Sequence, residues 1–387
     1  MFPNSRMEAV QSPIIPIVGQ LILDNPGTIS LGQGVVYWNP PLEAINEIEN
    51  FLAAPNNHKY KAVAGITPLV ERIREKLRED NGVGRDQQGT IVVTAGSNMG
   101  FMNALLAITS AGDEIVLNTP YYFNHEMGIR MADCQPVLVS TDENYQLRVD
   151  GLEAAITPKT KAIVTISPNN PTGVVYSQAT LREVNQLCRE RGIYHIHDEA
   201  YEYFTYNGVK SFSPISIEGS RDHTIGLYSL SKAYGFASWR IGYMVIPPHL
   251  FTDINKIQDT IVICPPVISQ YAAIGALNAG RSYCGQHLET LAQVRGICLA
   301  ALEKIQVMSH LVYSEGAFYF FLKLPGRIND FELVKELILK HRVAVLPGST
   351  FGMNDGCYLR VAYGALQPET AAEGINRLVT GLNTIFG

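Results

Sequence analysis

Residues 224–242 read TIGLYSLSKAYGFASWRIG: a short apolar run, a serine-flanked turn, then one lysine among small, aromatic and glycine residues. Lysines ordinarily lie on solvated faces among other charges. Here no further charge occurs between Lys232 and Arg240, and the stretch begins where a short buried strand would end. A lysine kept from water has a lowered pKa and is partly neutral. That makes it a nucleophile able to form a Schiff base with an aldehyde.

Outward from this stretch, short apolar runs alternate with helical patterns: IVVT (91–94), EIVLN (114–118), KAIVTIS (161–167), IYHIH (193–197) and GYMVI (242–246). This is the rhythm of an α/β fold with a mostly parallel sheet covered on both faces. From about residue 285 the pattern changes to a charged helical stretch through Lys304, then AFYFFLKL (317–324), a helix near 329–340, VAVL, CYLRVAY and a last helix. These read as a second, smaller α+β domain.

The bulk numbers bound the partners. The chain has 387 residues, 46% of them hydrophobic and 17% charged, enough for two sizeable cores. A formal net charge of -6 without a Lys/Arg block points away from nucleic acid and anionic membranes and toward small molecules. Six cysteines without a CxxC pair suggest neither a disulfide framework nor a zinc ribbon, which favours a reducing compartment. The start, MFPNSRMEAVQSPIIPIVG, carries only a short apolar run interrupted by Pro16, unlike a signal peptide or a membrane span. A cytoplasmic location is expected.

Open α/β sheets bind ligands outside the carboxyl ends of their strands. There the sequence places Gly96, Ser97 and Asn98 of AGSNMG at a helix start, where backbone N–H groups suit a phosphate. It also places Asn170 of SPNNPTG, Asp198 and Tyr201 of DEAY, and then Ser229, Lys232 and Arg240. Taken singly, AGSNMG is a strand-to-helix turn and SPNNPTG a loop of turn formers. HIHDE looks like a metal cluster, but His195 and His197 share one strand face and no further ligand set is evident, so no metal is expected. What carries weight is that four strands deliver polar groups to one crevice.

SPNNPTG, DEAY and SLSKAYGFASWRIG, at this spacing, resemble the class I/II aminotransferases of the fold-type I pyridoxal phosphate (PLP) enzymes. LGQG (31–34), YKAVAGITPLVERI (60–73), PGSTFG (347–352) and YLRVAYG (358–364) extend the resemblance over nearly the whole chain. It implies a large PLP-binding domain over 46–284 with a mostly parallel seven-stranded sheet. The smaller α+β domain would span 285–387, and residues 1–45 would form an N-terminal arm and part of the small domain. It implies that Lys232 bonds the cofactor and later shuttles the Cα proton, and that Asp198 keeps the pyridine nitrogen protonated. Asn170 and Tyr201 would hydrogen-bond the ring oxygen. Arg240, Ser229, Ser97 and Asn98 would bind the phosphate. Tyr122, or its neighbour Tyr121, would stack on the ring, and Arg360 would take the substrate α-carboxylate with Gly34 beside it. It implies as well a homodimer with shared sites, in which Tyr60 reaches the partner's cofactor phosphate. The arm, with Ile14, Ile15, Ile17 and Val18, would clasp the partner.

The activity so implied is transfer of an amino group from an L-amino acid to a 2-oxo acid by a ping-pong mechanism. A C–S β-lyase begins at the same carbanion, but Trp239-Arg240 after the lysine leans toward transamination. Intact Lys232, Asp198 and Arg360 speak against a degenerate regulatory domain, and a nicotinamide dehydrogenase would need a GxGxxG loop. Aspartate-type members often carry a lysine where Asn98 stands, and no second cation is identifiable here. LGQG is similar to members with broad specificity, and Tyr37 and Trp38 are expected to line an apolar pocket. A neutral, aromatic or bulky side chain is therefore the expected substrate, with an aspartate-type enzyme as the alternative.

Overall fold

The structure is a computed structural model that describes residues 5–84, 89–308, 310–326 and 328–387; residues 1–4 of the expected arm lie outside these. Helix α1 (Ile14–Leu23) leads to β1 (Ile29–Ser30), α2 (Leu42–Ala53) and α3 (Thr67–Asn81). Strand and helix then alternate: β2 (Thr90–Thr94), α4 (Ser97–Ile108), β3 (Glu114–Thr119), α5 (Phe123–Met131), β4 (Gln135–Ser140), α6 (Val149–Ala154), β5 (Thr160–Ile166), α7 (Gln178–Arg191) and β6 (Tyr194–Asp198). Next come β7 (Thr224–Ser229), α8 (Leu230–Ala233), β8 (Gly242–Ile246), α9 (Phe251–Val262) and α10 (Val267–Leu302). The C-terminal part holds β9 (Tyr319–Leu324), α11 (Asp330–His341), β10 (Val343–Ala344), β11 (Leu346–Pro347), β12 (Cys357–Ala362) and α12 (Pro368–Phe386).

The central sheet has seven strands in the order β2-β8-β7-β6-β5-β3-β4. Only β8 runs against the rest, so β2 and β7 on either side of it point the same way. Burial on both faces explains the near-continuous apolar runs. Ile91 and Val93 of β2 enter one core and Val92 the other; Ile225 and Leu227 of β7 enter the second core and Tyr228 the first. The periodicity reveals six of these strands. The seventh, β4, reads QPVLVS: it is a half-exposed edge strand with Pro136 near its start, so it lacks the apolar run that marks the others.

A second sheet, β11-β12-β9, is antiparallel, and a two-stranded parallel pair joins β1 to β10 through Ile29–Val343. The amide of Leu31 donates to Ala344 at 2.7 Å and that of Ala362 to Leu31 at 2.6 Å. Residues 29–34 are thus carried beside β12. The charged helix expected from 285 starts earlier, at Val267, and is interrupted at Gly280 (φ 69°, ψ -170°), a conformation glycine adopts without steric cost. The apolar face of the arm also differs from expectation. Val18 is 3% exposed and belongs to this chain's own core, and Ile14 is half-buried against it. Ile15 and Ile17 remain 39% and 41% exposed.

Candidate active site

Helix α4 starts directly after β2. Gly96 at its cap has φ 84°, and no side chain caps the first turn, so the amides of Ser97 and Asn98 present the positive end of the helix. Arg240, itself left-handed at φ 50°, packs its guanidinium against Gly96 so closely that any side chain there would collide with it. Its Nη1 donates to the Ala237 carbonyl at 2.9 Å. Ser229 ends β7 and caps α8 by accepting from the Ser231 amide at 3.2 Å. Together these form an anion cradle.

Lys232 sits on the single turn of α8 and donates from Nζ to the carbonyl of Gly34. Burial lowers its pKa to about 8; the positive charges of Arg360 and Arg240 push the same way, and Asp198 opposes them. Asp198 is buried at the end of β6. One carboxylate oxygen accepts from the Ala200 amide at 2.9 Å and the other lies 3.2 Å from His125 Nε2. Tyr122 faces the same space, its hydroxyl accepting from Asn124 at 2.8 Å and lying 3.5 Å from Asn98 Oδ1. Tyr121 turns away to pack on Gly352, with its amide donating to the Phe351 carbonyl at 3.0 Å.

Arg360, on β12, is 2% exposed. Its Nη1 donates to Asn170 Oδ1 at 2.9 Å and its Nη2 to the Gly32 carbonyl at 2.7 Å, while Nε has no partner. The guanidinium lies over the rings of Tyr319 and Phe351, at 4.6 and 4.9 Å. Neither of its hydrogen-bond partners is charged. A buried cation held this way is poised for a carboxylate ligand. Asn170 passes its amide to the Tyr201 hydroxyl at 3.3 Å.

A cavity of about 300 Å³ gathers these groups. Gly34, Ser97, Asn98, Tyr122, Asn170, Asp198, Tyr201, Ser229, Lys232, Arg240 and Arg360 all line it. Tyr60 does not; it is 78% exposed on this chain. Tyr37 and Trp38 also lie elsewhere, correcting the expectation. Trp38 is buried between Phe204 and His287, with ring centroids at 6.1 and 4.6 Å, and Tyr37 meets its edge at 5.0 Å. The apolar lining comes instead from Ile15, Val35, Phe123 and Ile166. His125 and Tyr319 were not anticipated. His125 follows Tyr122 by three residues on the next helical turn, a spacing that was available as a signal; Tyr319 is concealed in an apolar strand. His195 and His197 are buried and share the Thr165 hydroxyl at 2.8 and 2.6 Å.

An amine nucleophile, a fixed buried carboxylate and an anion cradle around one cavity fit pyridoxal phosphate. Comparison with known proteins agrees. The family model for aminotransferase class I and II matches residues 26–378. The chain is 33% identical to an aromatic aminotransferase of Arabidopsis thaliana, over 99% of this chain and 97% of that protein. It is 37% identical to a probable aspartate/prephenate aminotransferase of Aquifex aeolicus, over 84% of each. A double mutant of Thermus thermophilus aspartate aminotransferase superposes with a TM-score of 0.89 at 28% identity, covering 98% of this chain and 100% of that one. These relatives do not favour the C–S lyase alternative. The chain belongs to the class I and II aminotransferases and is a PLP-dependent transaminase of fold type I.

Proposed function

We propose that the chain moves the amino group of a neutral, aromatic or bulky L-amino acid to a 2-oxo acid in a ping-pong cycle, on sites shared between two copies. The observation that supports the substrate class is the charge distribution of the cavity. Its lining cations are Arg240 at the anion cradle, Lys232 at the centre and Arg360 at the fork. A substrate whose α-carboxylate occupies Arg360 would meet Ile15, Val35 and Phe123 with its side chain, and a second carboxylate would lose hydration without gaining a counter-charge.

Pyridoxal phosphate, when bound, supplies an aldehyde for the amine and a ring that takes up the electron pair left at Cα. The chain's own residues do the rest. Lys232, held near pKa 8, is partly neutral at physiological pH and can accept the Cα proton. Asp198, oriented by His125, would hold the proton on the ring nitrogen. Asn170 and Tyr201 would donate toward the ring oxygen. The α4 amides, Ser229 and Arg240 would grip the phosphate, and Arg360 would orient the substrate carboxylate.

Exposed apolar side chains support a second copy. Leu42 and Leu52 of α2 are 70% and 59% exposed, and Ile261 of α9 is 52%. A second copy covering them would give the exposed Tyr60 a neighbouring chain to act on. Six free, buried cysteines agree with a cytoplasmic setting, and no helix among the described residues is long and apolar enough to cross a membrane.

The deciding experiment is a panel of the common amino acids with several 2-oxo acid acceptors. Phenylalanine, tyrosine, tryptophan or methionine should give the highest kcat/KM. Aspartate in first place would overturn the substrate class.

A further inference from the structure

Tyr319 opens β9 and is fully buried. Pairing with Ala362 sets it beside Arg360, whose guanidinium lies over its ring. Its hydroxyl oxygen stands 2.7 Å from that of Tyr201. Tyr201 receives the Asn170 amide, and Asn170 receives Arg360. Four side chains thereby close a ring. Tyr319 meets Arg360 with its aromatic face and Tyr201 with its hydroxyl.

One hydrogen bond joins the two phenols, so one of them donates. Tyr201, in the role proposed above, commits its single proton to the ring oxygen, so Tyr319 is the donor of the pair in the holoenzyme. The proton of Tyr201 is then left to point into the cavity.

Gly34 bears on the same hydroxyl. A Cβ there would stand 2.6 Å from the Tyr319 oxygen but 3.6 Å from the ring carbon bearing it. The hydroxyl, and not the ring, excludes a side chain at position 34.

We propose that Tyr319 is a positioning residue that aims the Tyr201 proton into the cavity and supports the Arg360 guanidinium, joining cofactor tuning to carboxylate recognition. This rests on the roles proposed above for Tyr201 and Arg360. The test uses the holoenzyme, with two readouts: absorbance of the bound chromophore against pH, and the Kd of 3-phenylpropionate as an unreactive carboxylate. Tyr319→Phe removes the donor that polarises Tyr201, so the chromophore pKa should rise by about half a unit, while Kd stays within about twofold. Tyr319→Leu also removes the ring, and Kd should rise by about three- to tenfold. Gly34→Ala should weaken binding by about tenfold in the wild type and by about twofold or less in Tyr319→Phe, where the clash is gone. A Tyr319→Phe chromophore that titrates as wild type, while Tyr201→Phe shifts it, overturns the inference alone. If Tyr201→Phe produces no shift either, the reading of Tyr201 falls with it. Equal losses from Gly34→Ala in both backgrounds also overturn the inference.

Discussion

His125 and Asp198 are a buried pair, Nε2 to Oδ2 at 3.2 Å, and the imidazole is wedged between Phe101, stacked at 4.1 Å, and the edge of Tyr122 at 5.2 Å. With the Ala200 amide on its other oxygen, Asp198 has little freedom to turn. Loss of the imidazole should let the carboxylate swing away from its working position. His125→Ala is expected to lower kcat by about ten- to a hundredfold and to weaken cofactor retention, since small misplacements are costly in preorganised sites. His125→Asn, which keeps a donor, should recover part of the loss. Equilibrium dialysis of cofactor beside steady-state kinetics checks both, and unchanged values in His125→Ala would refute the role.

Lys232 makes a pH prediction whose sign is fixed. Its folded pKa of about 8 lies below the ordinary 10.5, so between these values the unfolded chain binds a proton that the folded chain has released. Stability of the cofactor-free protein therefore gains from this site as pH rises through that window. The penalty is complete below pH 8 and relieved toward 10.5, amounting to ~3 kcal/mol at most and less where solvent reaches Nζ. Lys232→Met should be more stable than wild type at pH 7.5, with the gap closing by pH 10 in urea titrations. Parallel curves would show that the lysine is not desolvated. The same variant should lack the cofactor-derived yellow colour that borohydride bleaches in wild type.

Arg360 should show itself through affinity for the amino acid. Removing a bidentate charged contact is expected to raise KM by about tenfold or more in Arg360→Ala. Arg360→Lys should recover little, because a single ammonium cannot reproduce the planar fork that reaches Asn170 Oδ1 and the Gly32 carbonyl while presenting paired N–H groups to a carboxylate. In the wild type, α-amide analogues should be poor substrates. Equal kinetics for acid and amide would remove Arg360 from the carboxylate site.

Tyr60 tests the proposed shared site. Tyr60→Phe should weaken cofactor retention while sedimentation reports the same dimer expected of the wild type. Inactive Lys232→Ala mixed with an inactive bulky variant at Tyr60 should regain partial activity once subunits exchange, because one hybrid site is intact. Exchange without recovery would show that Tyr60 acts within its own chain or not at all.

The order in which the site could be read from sequence has a physical explanation. Lys232 and Asn170 follow strands whose burial on both faces leaves long apolar runs, so the ends of those runs mark the rim, and Asp198 closes the strand paired between them. Arg360 and Tyr60 stand out only through resemblance, because nothing in YLRVAYG or HKYKAVAG shows which way a side chain turns. Tyr319 is hidden for the opposite reason. In AFYFFLKL every position looks like core, and a buried hydroxyl gives no periodic signal. Trp38 misled as a large aromatic near LGQG: its indole N–H donates to the Ala233 carbonyl at 3.3 Å, a structural bond behind the lysine rather than a pocket wall.

Lys232 and Arg360 hang from different sheets, one following β7 and the other in the middle of β12. The groups proposed to grip the phosphate are anchored to the seven-stranded sheet, whereas the proposed carboxylate fork belongs to the three-stranded one and leans across through Asn170. A small slide of one sheet on the other would change the reach between fork and lysine without loosening the phosphate. Grip on the phosphate and choice of substrate are thereby mechanically separable, so sequence changes on the smaller sheet away from Tyr319 can retune what is accepted while the phosphate cradle is left as it was.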